Sequence, residues 1–346
     1  MVPGLRLCLS IMALLAATGD SRADDVTIAV AGPMTGPVAT IGEQIKRGAE
    51  LAAEAINANG GVDGKTIRIA IFDDACEPKQ AVAVANRIVS EGIKFVDGHA
   101  CSGSSIPAAE VYAESGVLMM SPASSAPKLT DDAAGKGRIT IMRLYGRDDA
   151  QGKFIGPWIK DKFGSRKIAI LHDKSAYGKG LADVVKASLN KAGVQEVLYE
   201  GINPGEKDYR AVINRLKAEG VDVVYFGGYH TEAGLMKRQA ADQNYKFQLI
   251  TGDSIATPEF TSVAGPAGEG TIFTFPSDNR DSEAARKALE QFRQAGFAPE
   301  GFTLFSYATI QALAAGIDMA NSTSIASDQP TPSPVVTSAD IIRRVP

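Results

Sequence analysis

From Val26 onward the sequence alternates short, almost wholly apolar runs with longer amphipathic stretches, and few folds accept that rhythm. The apolar runs are Val26–Ala31, Thr66–Phe72, Lys94–Gly98, Val117–Met120, Lys167–Leu171, Glu196–Tyr199, Val221–Phe226, Gln248–Thr251 and Gly270–Thr274. Each has strand length and too little polar alternation to leave one face in water. Strands buried on both faces belong to parallel sheets covered by helices on two sides, so the expected class is α/β with doubly wound parallel sheets. The stretch Gly42–Ala58 shows the helical half of the pattern. Ile45, Gly48, Ala49, Ala52, Ala55 and Ile56 share one stripe, with Lys46, Arg47, Glu50 and Glu54 opposite. Thr40 with Glu43 reads as a capping box at its start, and Asn59-Gly60-Gly61 as its stop. Pro78 and Pro258 stand where a first helical turn accepts proline, the latter behind a Thr257 cap.

A chain of 346 residues exceeds one typical domain. Met142–Asp148 and Phe273–Asp278 interrupt the alternation as crossings between lobes would. The expected division is residues 24–144 with 277–320 in one lobe and 145–276 in the other, joined by a hinge. Arg6, the apolar run Leu7 to Thr18 and the small-residue site Ser21-Arg22-Ala23 predict a signal peptide over residues 1–23, cleaved on export to the periplasm. No later segment approaches the ~20 apolar residues of a membrane span. After Met319, the Ser/Thr/Pro-rich stretch Asn321 to Ser338 offers no strand or helix of convincing length. A disordered or aberrant tail is expected over 321–346, such as a shifted or truncated reading frame leaves.

The net charge of −4 comes without any basic block, which argues against nucleic acid and anionic lipid as partners. Cys8 leaves with the leader, and Cys76 and Cys101 remain. In an oxidising compartment they either pair, closing a loop worth about 3.5 kcal/mol in the chain-entropy model, or stay as buried thiols. His99, His172 and His230 form no metal spacing. There is no G-x-S-x-G elbow, no Walker A sequence and no G-x-G-x-x-G after the first strand. The first β–α turn, Gly32-Pro33-Met34-Thr35-Gly36-Pro37, puts prolines where a pyrophosphate needs glycines. No nucleophile–base–orienter set can be assembled, so neither an enzyme nor a cofactor is expected.

Ligands of open α/β sheets bind beyond the carboxyl ends of the strands. Lys94–Gly98 leads there to Cys101-Ser102-Gly103-Ser104-Ser105 at a helix start, where hydroxyls and backbone N–H groups make an anion site. Val117–Met120 leads to Ser121-Pro122-Ala123-Ser124-Ser125. In the second lobe Leu171 leads to Tyr177, Phe226 to Gly227-Gly228-Tyr229, and Ile250 to Asp253. Serine loops are commonly caps, and a lone aspartate after a strand is commonly a turn residue. Together they suit a zwitterion with an apolar side chain.

At Asp73-Asp74-Ala75-Cys76-Glu77-Pro78-Lys79-Gln80-Ala81-Val82-Ala83-Val84-Ala85-Asn86, His172-Asp173-Lys174 with Tyr177-Gly178, Gly201-Ile202 with Gly205-Glu206-Lys207-Asp208, and Tyr225-Phe226-Gly227-Gly228-Tyr229-His230, the chain resembles the periplasmic leucine/isoleucine/valine-binding proteins. These are type I solute-binding components of ABC importers, and the similarity runs from about Val26 to about Ala320. The resemblance implies a two-lobed clamshell that captures an amino acid and presents it to a membrane permease, working as a monomer. It implies that Ser102 and Ser125, with N–H groups near Ala123, hold the α-carboxylate. Asp253 would pair with the α-ammonium, helped by Tyr229. Ala100, Cys101, Tyr177 and Phe302 would line the side-chain pocket, and Cys76 would pair with Cys101. Asp253 stands where relatives carry glutamate, and Ile41 where an aromatic commonly lines the pocket. Branched aliphatic ligands are therefore favoured, with other amino acids or amides as the alternative. A sensory domain of the same fold is the competing function, and the leader argues against its cytoplasmic forms. Relatives continue past Ala320 with a helix, a third crossing and terminal strands that this chain replaces with its tail.

Overall fold

The computed structural model describes residues 25–276 and 280–325. The leader, the end of the second crossing and the tail beyond Ile325 lie outside the described residues. Two five-stranded sheets, each parallel throughout, build two lobes. The first sheet has β1 (Val26–Gly32), β2 (Ile67–Asp73), β3 (Phe95–Gly98), β4 (Leu118–Ser121) and β5 (Ile141–Arg143), in the order β2-β1-β3-β4-β5. The second has β6 (Ile168–His172), β7 (Leu198–Gly201), β8 (Val223–Gly227), β9 (Gln248–Thr251) and β10 (Ile272–Phe273), in the order β10-β9-β8-β6-β7. Read from its other edge, the second order repeats the first. Each sheet therefore has a point where the chain reverses direction across the sheet, beside β1/β3 and beside β6/β8, and a crevice opens there.

Helices cover both faces of both sheets, as the doubly apolar strands require. In the first lobe α1 (Ala39–Ala58), α10 (Glu283–Gln294) and α11 (Thr303–Ile325) bury Ile28 and Val30 of β1 under Ile45, Phe292 and Ile310. On the other face α2 (Pro78–Ser90), α3 (Ser102–Glu114) and α4 (Lys128–Gly135) cover Ala29 and Ala31 with Ile88, Tyr112 and Leu129. In the second lobe α7 (Arg210–Glu219), α8 (His230–Asp242) and α9 (Pro258–Ala264) pack on Leu171 and Phe226, and α5 (Asp148–Phe163) with α6 (Ala176–Lys191) packs on Ile170 and Tyr225. Fully burying one such aliphatic side chain contributes about 1.5–3 kcal/mol. Among the described residues no helix is long and apolar enough to cross a membrane.

Three sequence expectations need correction. Met142 and Arg143 are not crossing but strand, because β5 pairs with β4 through Met119–Ile141, Met120–Met142 and Ser121–Arg143. A three-residue strand carries no readable periodicity. The capping box does not form: α1 already begins at Ala39, Val38 is its N-cap, and the Thr40 hydroxyl donates instead to Glu259 of the other lobe. Residues 321–325 are helical, because they continue α11 with no proline or glycine between Gly316 and Pro330 to stop it. Pro78 and Pro258 do open α2 and α9, and the Thr257 hydroxyl accepts from the Glu259 N–H.

Candidate functional site

In the first lobe the site grows from the loop after β3. Gly98 has φ +144°, and a Cβ there would stand 2.3 Å from the Ala31 carbonyl oxygen, so only glycine lets the strand end this close to β1. The chain then buries His99 completely, its Nδ1 2.6 Å from Asp74 Oδ2 and its Nε2 2.9 Å from the Tyr112 hydroxyl. The His99 carbonyl accepts from the hydroxyls of Ser105 (3.0 Å), Ser121 (2.7 Å) and Ser124 (3.1 Å), which ties the β3 and β4 loops into one unit. Cys101, the N-cap of α3, offers no side-chain acceptor to the first turn; its carbonyl takes the Ser104 and Ser105 N–H groups, both at 2.9 Å, and the helix start at Ser102 carries no side-chain cap. Ser102, Ala123 and Ser125 are buried beside that helix start, and the Ser102 hydroxyl accepts from the Ala126 N–H at 3.2 Å. Cys101 is joined to Cys76, with Cα atoms 5.6 Å apart, and Asp74 accepts from the Cys76 N–H at 2.8 Å. Asp73, its neighbour, only braces a turn, accepting from the Met34, Thr35 and Ala75 N–H groups.

The second lobe presents the opposite chemistry. Asp253 opens a 3₁₀ turn, Asp253–Ile255, straight after β9 and is 2% exposed. Its Oδ1 accepts from the Tyr177 hydroxyl at 2.7 Å and its Oδ2 from Gln151 Nε2 at 3.0 Å. The Tyr145 hydroxyl faces the same carboxylate but closes no hydrogen bond of its own. Burial raises the Asp253 carboxyl above its ordinary range, against the pull of these donors. Among the described residues no lysine, arginine or histidine pairs with it. Tyr177 and Tyr229 pack together with centroids 5.2 Å apart, and the Tyr229 hydroxyl lies 3.7 Å from the Cys76 sulfur of the first lobe.

These groups meet. Ile41, Ala100, Cys101, Ser102, Ala123, Ser125 and Phe302 from one lobe, with Tyr177, Tyr229 and Asp253 from the other, line a single space of about 280 Å³. Every residue singled out in the sequence for ligand contact falls on it, and Ser254 joins them. Among the described residues no group of His, Cys, Asp or Glu could hold a metal ion.

Sequence reasoning missed Asp148. It is fully buried at the start of α5, its N–H donates to the Ser125 carbonyl at 3.0 Å, and one carboxylate oxygen has no partner among the described residues. Burial, and then the nearby charge of Asp253, push its carboxyl up to about 8, while the Ser125 hydroxyl and Arg143 pull the other way. Gln151, one turn along, was missed too. The Asp148-Asp149 pair just past the crossing was the only available signal, and spacing alone does not show that Asp148 meets Ser125 of the other lobe.

A family model described as Periplasmic binding protein matches residues 25–335. The chain is 48% identical over 311 residues to Leu/Ile/Val-binding protein homolog 1 of Brucella suis, spanning 90% of this chain and 83% of that relative. It is 48% identical over 297 residues to the amino acid binding protein of Pseudomonas aeruginosa, spanning 85% of this chain and 78% of that relative. In structure it resembles the branched-chain amino acid transporter substrate binding protein LivJ from Streptococcus pneumoniae, solved with isoleucine. The TM-score is 0.78 at 24% identity, covering 92% of this chain and 87% of that one.

Proposed function

Because the chain belongs to the periplasmic binding protein family, we propose that it is the solute-binding component of an ABC importer that captures a branched-chain amino acid between its lobes. One observation carries the reading. Asp253 is buried without a cationic partner among the described residues and shares its cavity with the start of α3, which has no side-chain cap, and the serines beside it. A buried carboxylate without a counter-charge is costly, and an α-ammonium supplies one. The first-lobe hydroxyls and N–H groups receive the α-carboxylate, as helix N-termini receive anions. Ile41, Ala100, Cys101 and Phe302 leave an apolar wall for an aliphatic side chain.

The two ends of the guest are held by different lobes, so only the closed state satisfies both. The ligand therefore shifts the population toward closure by its differential affinity for that state. The closed outline is what a membrane permease reads, with the protein in the periplasm after loss of residues 1–23. The cavity binds and releases its guest unchanged; it assembles no nucleophile or general base, and the Asp74–His99 pair is sealed away from it. Titration calorimetry across the twenty amino acids and simple amides tests this. Leucine, isoleucine and valine are expected to bind most tightly. Binding confined to an amide or an aromatic acid would overturn the assignment.

A further inference from the structure

Gln44 lies on α1 within three residues of the cavity-lining Ile41, yet it touches none of the space the guest fills. It is 5% exposed and both ends of its amide are engaged. Its Oε1 accepts from the Phe302 N–H at 3.1 Å, within its own lobe. Its Nε2 donates to the Ala256 carbonyl at 3.2 Å, across the cleft. Phe302 forms part of the apolar wall, and Ala256 directly follows the turn that carries Asp253. The approach is close enough that at Gly301, with φ +44°, a Cβ would stand 2.3 Å from Gln44 Oε1 and 2.7 Å from the Ala256 oxygen. Two other bonds cross the same side of the cleft, from the Thr40 hydroxyl to Glu259 and from the Thr231 hydroxyl to the Pro37 carbonyl at 3.0 Å. The Thr231 bond is exposed and the Glu259 side chain is 42% exposed, so water competes there; the Gln44 bond is part-buried and Gln44 itself is 5% exposed.

We propose that Gln44 is a positioning residue for closure, a clasp that joins the Phe302 wall to the Asp253 turn only when the lobes are shut and so sets how long the guest is retained. This rests on the amino-acid-binding reading above. Opening must break the cross-cleft half of the clasp before the guest can leave, whereas capture begins from the open state, where that half is absent. The clasp therefore acts on the off-rate and leaves the on-rate alone. One neutral hydrogen bond corresponds to about two- to tenfold in the closed population.

Stopped-flow fluorescence with leucine tests it on Gln44→Met and Gln44→Glu. Gln44→Met keeps the length of the side chain and removes both bonds; its off-rate is expected to rise about two- to tenfold with an unchanged on-rate. Gln44→Glu keeps the acceptor for the Phe302 N–H and loses the donor to Ala256. Its off-rate is expected to rise at pH 8 and to fall back toward that of wild type at the same pH as the pH drops through about 4.3, where the protonated acid donates again. A merely structural role would lower thermal stability and would not be rescued by acid. Off-rates equal to wild type in both variants, or no acid rescue, overturn the clasp. If wild-type protein binds no amino acid, the functional reading falls, and the clasp is then decided on ligand-free protein by small-angle scattering. Variants more open than wild type support it, and equal radii of gyration overturn it.

Discussion

The two lobes share one strand order and differ in almost everything that lines the cleft. The first lobe offers backbone N–H groups and serine hydroxyls, braced by the Cys76–Cys101 bond and by the buried His99, whose carbonyl gathers three serines. The second offers the carboxylate of Asp253 beside Tyr177 and Tyr229, with no covalent brace. The contrast separates two jobs. Topology decides where functional groups stand, just past strand ends at each reversal of strand order, and residue choice there decides polarity. A donor-rich rim needs rigid backbone, because N–H groups are aimed by the chain. A carboxylate rim can rely on side chains and on the tyrosine and glutamine donors that orient them.

The sharpest way to break this contrast is to remove the negative half. Asp253→Ala is expected to weaken amino-acid binding by about 2–5 kcal/mol, as for one partner of a buried charge pair. Near wild-type affinity by calorimetry would take Asp253 out of the site. Removing the brace on the other side, by converting Cys76 and Cys101 together to serine, is expected to cost about 3.5 kcal/mol of stability. Hydrogen exchange should place that loss in the first lobe; an even loss over both lobes would show that the bond braces nothing local. Ser125→Ala is expected to cost about 1–3 kcal/mol of affinity, the worth of a bond to a charged group. No change would leave the backbone alone holding the carboxylate.

A different lever is pH. The Asp148 carboxyl is pushed up to about 8 in the folded chain, against about 3.9 when unfolded. The folded state thus keeps a proton that the unfolded state gives up. Stability from this group is complete below about pH 4 and is lost as pH rises through about 8. Asp148→Asn, which resembles the neutral acid, should flatten the fall in urea midpoint between pH 5 and pH 8. Parallel slopes for variant and wild type would acquit Asp148.

Nine of the ten strands were legible because an apolar run marks each in the sequence, even β10 with two paired residues, whereas β5 lies inside the Met142–Asp148 stretch read as a crossing and owes its place to β4. Ser102, Ser125 and Asp253 were legible because position after a strand has a meaning independent of the rest of the fold. Asp148 and Gln44 were not, since each takes part of its environment from the opposite lobe, the Ser125 carbonyl for Asp148 and the Ala256 carbonyl for Gln44. Thr40 misled for a related reason: local spacing suggested a cap, and the neighbouring lobe supplied Glu259 as a better acceptor.

The second lobe is continuous in sequence from α5 to β10, while the first is split around it. The face of β1 that carries Ile28 and Val30 is covered partly by Phe292, Ile310, Leu313 and Ile317, which the ribosome makes last. A growing chain therefore possesses every strand of the second lobe while the first still exposes an oily surface. Long-range closure of that kind is slow and prone to sticking, so the earlier-made half waits on the later-made helices. The first lobe's core therefore closes only through contacts between segments far apart in the chain, while the second draws on one continuous stretch.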